Sequence, residues 1–318
     1  MSYRIFYGCL GVALCAHDAT PTALLLGVQS VAIDSTSSHE FFLAPNSNTN
    51  NAMQPADDVY PALSEIRVVI TQLIKEFLPI QSTPGANAYI NAYLYKGDDS
   101  LACISSTSSI VCKYLLLSDI EYSLSVSGFF TVKKTYTGFT RYVCGSGPSM
   151  EDCPTPALTG VYVAMRQCAT TLTLNGSVIN SSWLQDLTIN TTVSRQNILE
   201  TSTRTPWGSY VKFPVITTCT CRSIAKDFDS YKNEIKTSGC VDPFQAQVEN
   251  ISIGVCATNG SSGGTIDINK AVLTGLNYSG GDAGSSNNQS VSFTYTSYYS
   301  SGISPNIQAP EVLINGCG

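Results

Sequence analysis

The stretch from Cys168 to Val193 constrains this chain more tightly than any other. Two runs rich in Thr, Leu, Val and Ile flank Asn175-Gly176. An Asn-Gly pair accepts positive φ at both central positions of a tight turn, so the spacing predicts a β-hairpin. Asn175, Asn180 and Asn190 are each followed two residues later by Ser or Thr with no proline between them. Each is therefore a potential N-glycan acceptor, and together they predict a sheet that carries sugar.

Runs of strand length recur through the rest of the chain. Ala88 to Tyr95, Ser109 to Leu117, Ile120 to Val126 and Phe129 to Tyr136 alternate or run apolar, with turn residues between them. Leu158 to Gln167, Val211 to Cys221, Val248 to Thr258, Ile266 to Leu276 and Gln289 to Tyr299 continue the pattern, separated by loops rich in Gly, Ser and Asn. Pro61 to Leu78 reads differently. Leu63, Ile66, Ile70, Leu73, Ile74 and Phe77 recur three and four residues apart between Asp58-Pro61 and Pro79, which predicts one amphipathic helix over 61–78. The expected fold is mainly β: two tandem immunoglobulin-like β-sandwich domains, with that helix in the N-terminal one.

The length of 318 residues exceeds what a single core usually organises, which also argues for two domains. The loop bounded by Cys144, Cys153, Pro154 and Pro156 is the expected boundary, giving an N-terminal β domain over 35–153 and a C-terminal one over 154–318. Met1 to Cys15 reads as a secretory signal: Arg4, an apolar run from Ile5 to Ala13, then small residues before a cleavage site. Residues 16–34 follow as an apolar N-terminal segment. Within it Thr22 to Asp34 places Leu24, Leu26 and Val28 on one face at period two, and such a strand could complete the sheet of another copy.

Charged residues make up only 13% of the chain, against roughly 25% in an average domain. Ser, Thr, Asn and Gly supply the polarity instead, as expected of an extracellular β protein. Net charge is −6 and the 17 basic residues form no run, so no footprint for nucleic acid exists. Seven sequons, at Asn175, Asn180, Asn190, Asn250, Asn259, Asn277 and Asn288, accompany twelve cysteines. That combination indicates an oxidising secretory route and N-linked glycans in the mature protein. None of the seven precedes Asn175, so the expected glycans are confined to the C-terminal half.

With the first fifteen residues removed, the ten remaining cysteines are expected to pair. Cys103 with Cys112 and Cys144 with Cys153 form local staples across short turns. Cys219 and Cys221 pair with Cys240 and Cys256 in either order, and Cys168 pairs with Cys317.

Signals for chemistry fail one by one. Asp227-Phe-Asp229 begins like a calcium loop, but Tyr231 occupies its fifth position and no Gly occupies the sixth. Gly280-Gly281-Asp282-Ala283-Gly284 precedes a strand, not the helix N-terminus that a phosphate needs. His17 and His39 are the only imidazoles, too few for most triads or metal sites. Glu151, Asp152 and Asp242 offer carboxylates that no spacing pairs. Tyr295, Tyr298 and Tyr299 could stack on sugar rings, although tyrosines on a strand more often serve the sheet or an interface. No enzymatic activity, metal or cofactor is expected. The chain also lacks a C-terminal apolar tail, so no membrane span is expected.

A signal-like start, an apolar N-terminal strand, paired β domains, many cysteines and sequons in one half together resemble the subunits of glycan-coated extracellular filaments of aquatic eukaryotes, such as flagellar hairs or pond-water fibrils. The resemblance is one of layout and spans the whole chain, without a signature motif. It implies a structural subunit, secreted and extracellular, polymerised with copies of itself in a helical array and joined by a strand lent from one subunit to the next. The rival expectation is a monomeric secreted or cell-surface binding protein, such as an adhesin, a lectin-like module or a surface antigen.

Overall fold

The structure, a computed structural model, describes residues 10–21, 24–42, 58–74, 83–97, 104–126, 128–139, 143–145, 171–174, 177–179, 184–198, 206, 208–224, 249–256, 262–279 and 290–299. All regular structure among them is β-strand. In chain order the strands are β1 (Leu10–Ala16), β2 (Val28–Phe42), β3 (Asp58–Leu73), β4 (Ile90–Gly97), β5 (Ile104–Ser125), β6 (Thr131–Gly138), β7 (Val143–Gly145) and β8 (Thr171–Leu174). They continue with β9 (Ser177–Ile179), β10 (Leu184–Thr192), β11 (Arg195–Ile198), β12 (Gly208–Val211), β13 (Val215–Ile224), β14 (Glu249–Cys256), β15 (Ser262–Ser279) and β16 (Ser290–Tyr299).

The main sheet runs in the order β2-β3-β6-β5-β10-β13-β16-β15-β14-β8-β9, every adjacent pair antiparallel. A branch attaches β1, β4 and β7 through β5, while β11 and β12 form a separate hairpin. Strand β5 therefore serves two sheets. Its first half pairs with β4 and β7, and its second half with β6 and β10. The change of partner follows Tyr114, whose φ of 56° lies in the left-handed region that bulky residues rarely adopt. The side chain of Asn91 holds this corner: its Oδ1 accepts the Tyr114 N–H at 3.2 Å and its Nδ2 donates to the His17 carbonyl at 2.9 Å.

Period-two burial builds the core. Leu187 and Ile189 of β10, Cys219 and Cys221 of β13, and Val291, Phe293 and Tyr295 of β16 all turn inward, against Ile120 and Leu124 of β5 and Ile251 and Ile253 of β14. Strands as far apart in the sheet as β5 and β14 thus share one cluster, so the sheet curls over its own inner face. A second cluster joins Val12, Val31, Ile66, Val68, Ile70, Leu94, Leu115, Leu117 and Tyr136. Each fully buried aliphatic side chain here contributes on the order of 1.5–3 kcal/mol. At the second cluster, Arg195 of β11 donates from Nε to the Leu117 carbonyl at 3.1 Å and from Nη2 to the Ala86 carbonyl at 2.7 Å. Burial brings its guanidinium down to about 10.

The expected helix over 61–78 is corrected to a strand as far as residue 73: β3 pairs with β2 on one side and β6 on the other. Ile66, Val68 and Ile70 are buried, whereas Glu65 and Arg67 between and beside them are exposed. Val68, Val69, Ile70 and Thr71 form a run of β-branched residues, which favours a pleated strand over a helix. The apolar spacing fitted both periods because the run is dense. Residues 75–78 lie outside the described residues.

The Thr22 to Asp34 stretch is also placed differently. Residues 24–27 make a turn, and residues 28–34 open β2, paired inside the same chain with Val31 opposite Ile70. Leu24, Leu26 and Val28 therefore do not form one face of a strand free to leave. Leu10–Ala16, the end of the segment read as a signal, is a strand whose seven residues all pair with β4, and Val12 and Ala13 are fully buried. Across the expected boundary near 153, β5 and β10 are direct neighbours from Asp119↔Thr192 to Ser125↔Asp186.

The tight hairpin at 175–176 has its expected flanks: β8 and β9 pair with Leu174 opposite Ser177. Its second strand ends at Ile179. The following strand, β10, crosses to the middle of the sheet between β5 and β13. Leu158 to Gln167 lies outside the described residues.

Candidate interaction surface

The face of the main sheet turned away from the core is polar and nearly continuous. Register sets it out in rows across β6, β5, β10, β13 and β16. One row reads Thr131, Ser123, Thr188, Thr220 and Thr294, and the next reads Lys133, Glu121, Asn190, Thr218 and Thr296. Threonine suits this position because its branched Cβ fills the pleat while its hydroxyl finds a neighbour. The Thr220 and Thr294 hydroxyls lie 3.4 Å apart, and those of Thr274 and Thr296 2.9 Å apart.

Charge concentrates at one place on this face. Lys133 Nζ donates to Glu121 Oε2 at 3.2 Å. One step along β5, Asp119 accepts from the Thr192 hydroxyl at 3.2 Å and from the Asn190 side chain. Burial pushes the Asp119 carboxyl up and the Glu121 charge adds to this, while Thr192, Lys133 and Asn190 oppose it. Sequence reading could not assemble this group, because its members are spread over residues 119–192 and only sheet register brings them together. The arrangement can hold a polar partner by hydrogen bonds.

Three of the seven sequon asparagines are described, and all three sit off the core. Asn190 is half-buried at the centre of the polar face, next to Thr218 and Glu121. Asn277 is exposed on β15 opposite Ser292. Asn250 is exposed on β14, where its Oδ1 accepts the Lys270 N–H at 3.2 Å. Asn175, Asn180, Asn259 and Asn288 lie outside the described residues.

The cysteines divide in the same way. Cys112, Cys219 and Cys221 are buried free thiols. Cys219 and Cys221 share the inner face of β13 with their sulfurs 3.8 Å apart. Burial pushes the Cys112 thiol up to about 12, and contact with Cys221 together with burial raises that of Cys219. Cys144 lies on β7 opposite Ile110, and Cys256 ends β14. Cys103, Cys153, Cys168, Cys240 and Cys317, the other expected disulfide partners, lie outside the described residues. So do Glu151, Asp152, Asp227, Asp229, Asp242 and the loop at Gly280. Of the three late tyrosines, Tyr295 is core, Tyr299 is half-buried, and Tyr298 is 56% exposed beside Ile216. Among the described residues no three metal-ligating side chains gather, and no helix is long and apolar enough to cross a membrane.

The ends of the sheet complete the surface. Strand β2 is its outermost strand on one side, pairs only with β3 among the described residues, and runs for 15 residues. At the other side the outermost strand, β9, has 3. The large apolar side chains of Leu26, in the turn that enters β2, and of Val126 and Phe129, between β5 and β6, are 51%, 39% and 51% exposed.

Compared with known proteins, the chain matches no family model, and no curated protein matches it.

Proposed function

We propose that this chain is a structural subunit of an extracellular, glycosylated filament, joined between subunits by β-strand addition. The outer edge of β2, along which no strand pairs among the described residues, carries this reading. Natural sheets protect such edges with prolines, lysines, bulges or short strands. Strand β2 has neither Pro nor Lys over its 15 residues, and between the register shifts at Val28/Ser30 and Ser37/His39 it offers a neighbour a row of backbone donors and acceptors. Two of the sequons support the same reading, because Asn250 and Asn277 are exposed away from the core. Copies of the chain and N-linked glycans are its partners, and the role requires no catalysis and no cofactor.

Negative-stain imaging of the full chain from a glycosylating eukaryotic host, with mass spectrometry of its asparagines, tests the proposal. Rods of uniform width and occupied sequons are expected. Isolated particles would favour a monomeric secreted binding protein, and unmodified asparagines would remove the extracellular assignment.

A further inference from the structure

Beside the Glu121 row of the outer face runs another of different composition. Register lines up Asp119 of β5, Thr192 of β10, Ile216 of β13 and Tyr298 of β16. Neighbouring strands lie about 4.8 Å apart, so the row spans roughly 14 Å from Asp119 to Tyr298. All four side chains turn outward, since each sits beside a buried residue of its own strand: Ile120, Thr191, Val215 and Ser297. The row is apolar at one end and polar at the other. Tyr298 and Ile216 are 56% and 39% exposed and are direct cross-strand partners. Asp119, half-buried, accepts from the Thr192 hydroxyl at 3.2 Å and from the Asn190 side chain. An ionised carboxylate has about four lone-pair sites, so these two bonds leave Asp119 able to accept more.

The chemistry of the row narrows what it can hold. An anion needs a free cation, and the ammonium on this part of the face, Lys133, is committed to Glu121 at 3.2 Å. A metal ion needs several ligands, and no three gather among the described residues. A protein partner prefers a surface whose centre is poor in carboxylates, whereas here a carboxylate, an amide and a hydroxyl stand in line with the aromatic ring. A sugar satisfies both ends at once. Its C–H face packs on a tyrosine ring or an aliphatic side chain, and its hydroxyls donate to a carboxylate and accept from amide and hydroxyl groups.

We infer that the row from Asp119 to Tyr298 is a binding site for a neutral oligosaccharide lying across the strands. Tyr298 and Ile216 form the platform for the rings, and Asp119, Thr192 and Asn190 bond the hydroxyls. The site is independent of strand addition at β2 and operates whether or not the chain polymerises. Asn190 is itself a sequon one row away, so the ligand is either a free oligosaccharide or a glycan that the chain carries.

Saturation-transfer NMR on the full chain tests this, with cellotetraose, maltotetraose and chitotetraose as probes. Two preparations are compared, one from a glycosylating host and one with its N-glycans removed enzymatically. Transfer to at least one probe is expected, with a Kd of about 1 mM or tighter. Binding by both preparations identifies a free oligosaccharide as the ligand, and binding by the stripped one alone identifies the chain's own glycan. Tyr298→Ser and Asp119→Asn should each weaken binding by about tenfold, through the lost ring contact and the lost charged acceptor. Arg222→Gln, on the same face at the far end of β13, should leave it unchanged, and circular dichroism confirms that the variants fold. Absence of transfer to all three probes in both preparations overturns the inference. So does wild-type affinity in the Tyr298 and Asp119 variants, or an equal loss in the Arg222 one.

Discussion

Cys112 shows how one residue can look different in sequence and in space. Its spacing to Cys103 fits a staple across a short turn, yet it stands within β5 as a buried free thiol opposite Ala92. Burial holds it in the protonated, unreactive form. Iodoacetamide should therefore leave Cys112 and Cys219 unmodified in the folded protein and label both in denaturant without any reductant. Labelling that requires prior reduction would show that they are bridged. The same burial makes stability depend on pH. Below the ordinary thiol value of 9.0 both states keep the proton and the contribution is constant. As pH rises from there towards about 12, the unfolded chain ionises and the folded one does not, so stability falls by up to about 1.4 kcal/mol per unit. Cys219 and Tyr122 act in the same direction. Lys134, whose ammonium is lowered by burial, acts in the opposite one. The urea midpoint should drop between about pH 8 and about pH 10.5, and a midpoint that rises over that interval would contradict the assignment.

Among the elements, those bounded by turn chemistry were the most legible. The strands from Glu249 to Cys256 and from Ser290 to Tyr299 fall within two residues of their expected limits, because Gly, Ser and Asn follow the first at Asn259-Gly260 and mark both ends of the second. Ser118-Asp119, read as a turn, instead lies inside β5 as a bulge between Leu117 and Asp119, with the Ser118 hydroxyl donating to the Thr135 carbonyl at 3.1 Å. A bulge and a turn use similar residues, and only the partner strand distinguishes them. The helix expected over 61–78 failed for a related reason, since a dense apolar run satisfies two periods at once. The polar cluster at Asp119 was not legible, since it is a product of register between distant segments. The strand assignment predicts that Ile70→Ala, which empties a core position, costs about 2–5 kcal/mol. Val69→Thr, on the other face of the same strand, should stay within roughly 1 kcal/mol. Urea unfolding of both variants measures the difference, and comparable losses would indicate that β3 does not present alternate faces.

At the scale of the molecule, β5 decides how the parts depend on one another. Ile120 and Leu124 lie in one core cluster, Cys112, Leu115 and Leu117 in the other, and all five belong to a single strand. Calorimetry of the reduced protein should accordingly show one transition, with the calorimetric and van't Hoff enthalpies equal. Two resolved peaks would mean that the clusters melt independently. The same strand sets a schedule for biosynthesis. One flank of its second half is filled by β6, which follows within a few residues, but the other waits for β10, which begins at Leu184, 59 positions after Ser125 (184 − 125). At about 5–20 residues per second, a growing chain leaves that flank unfilled for roughly 3–12 s. During that interval the nascent protein presents a row of open backbone groups beside apolar side chains to every other chain being made nearby. Its yield in a cell therefore depends on what shields β5 before the second half of the sheet emerges.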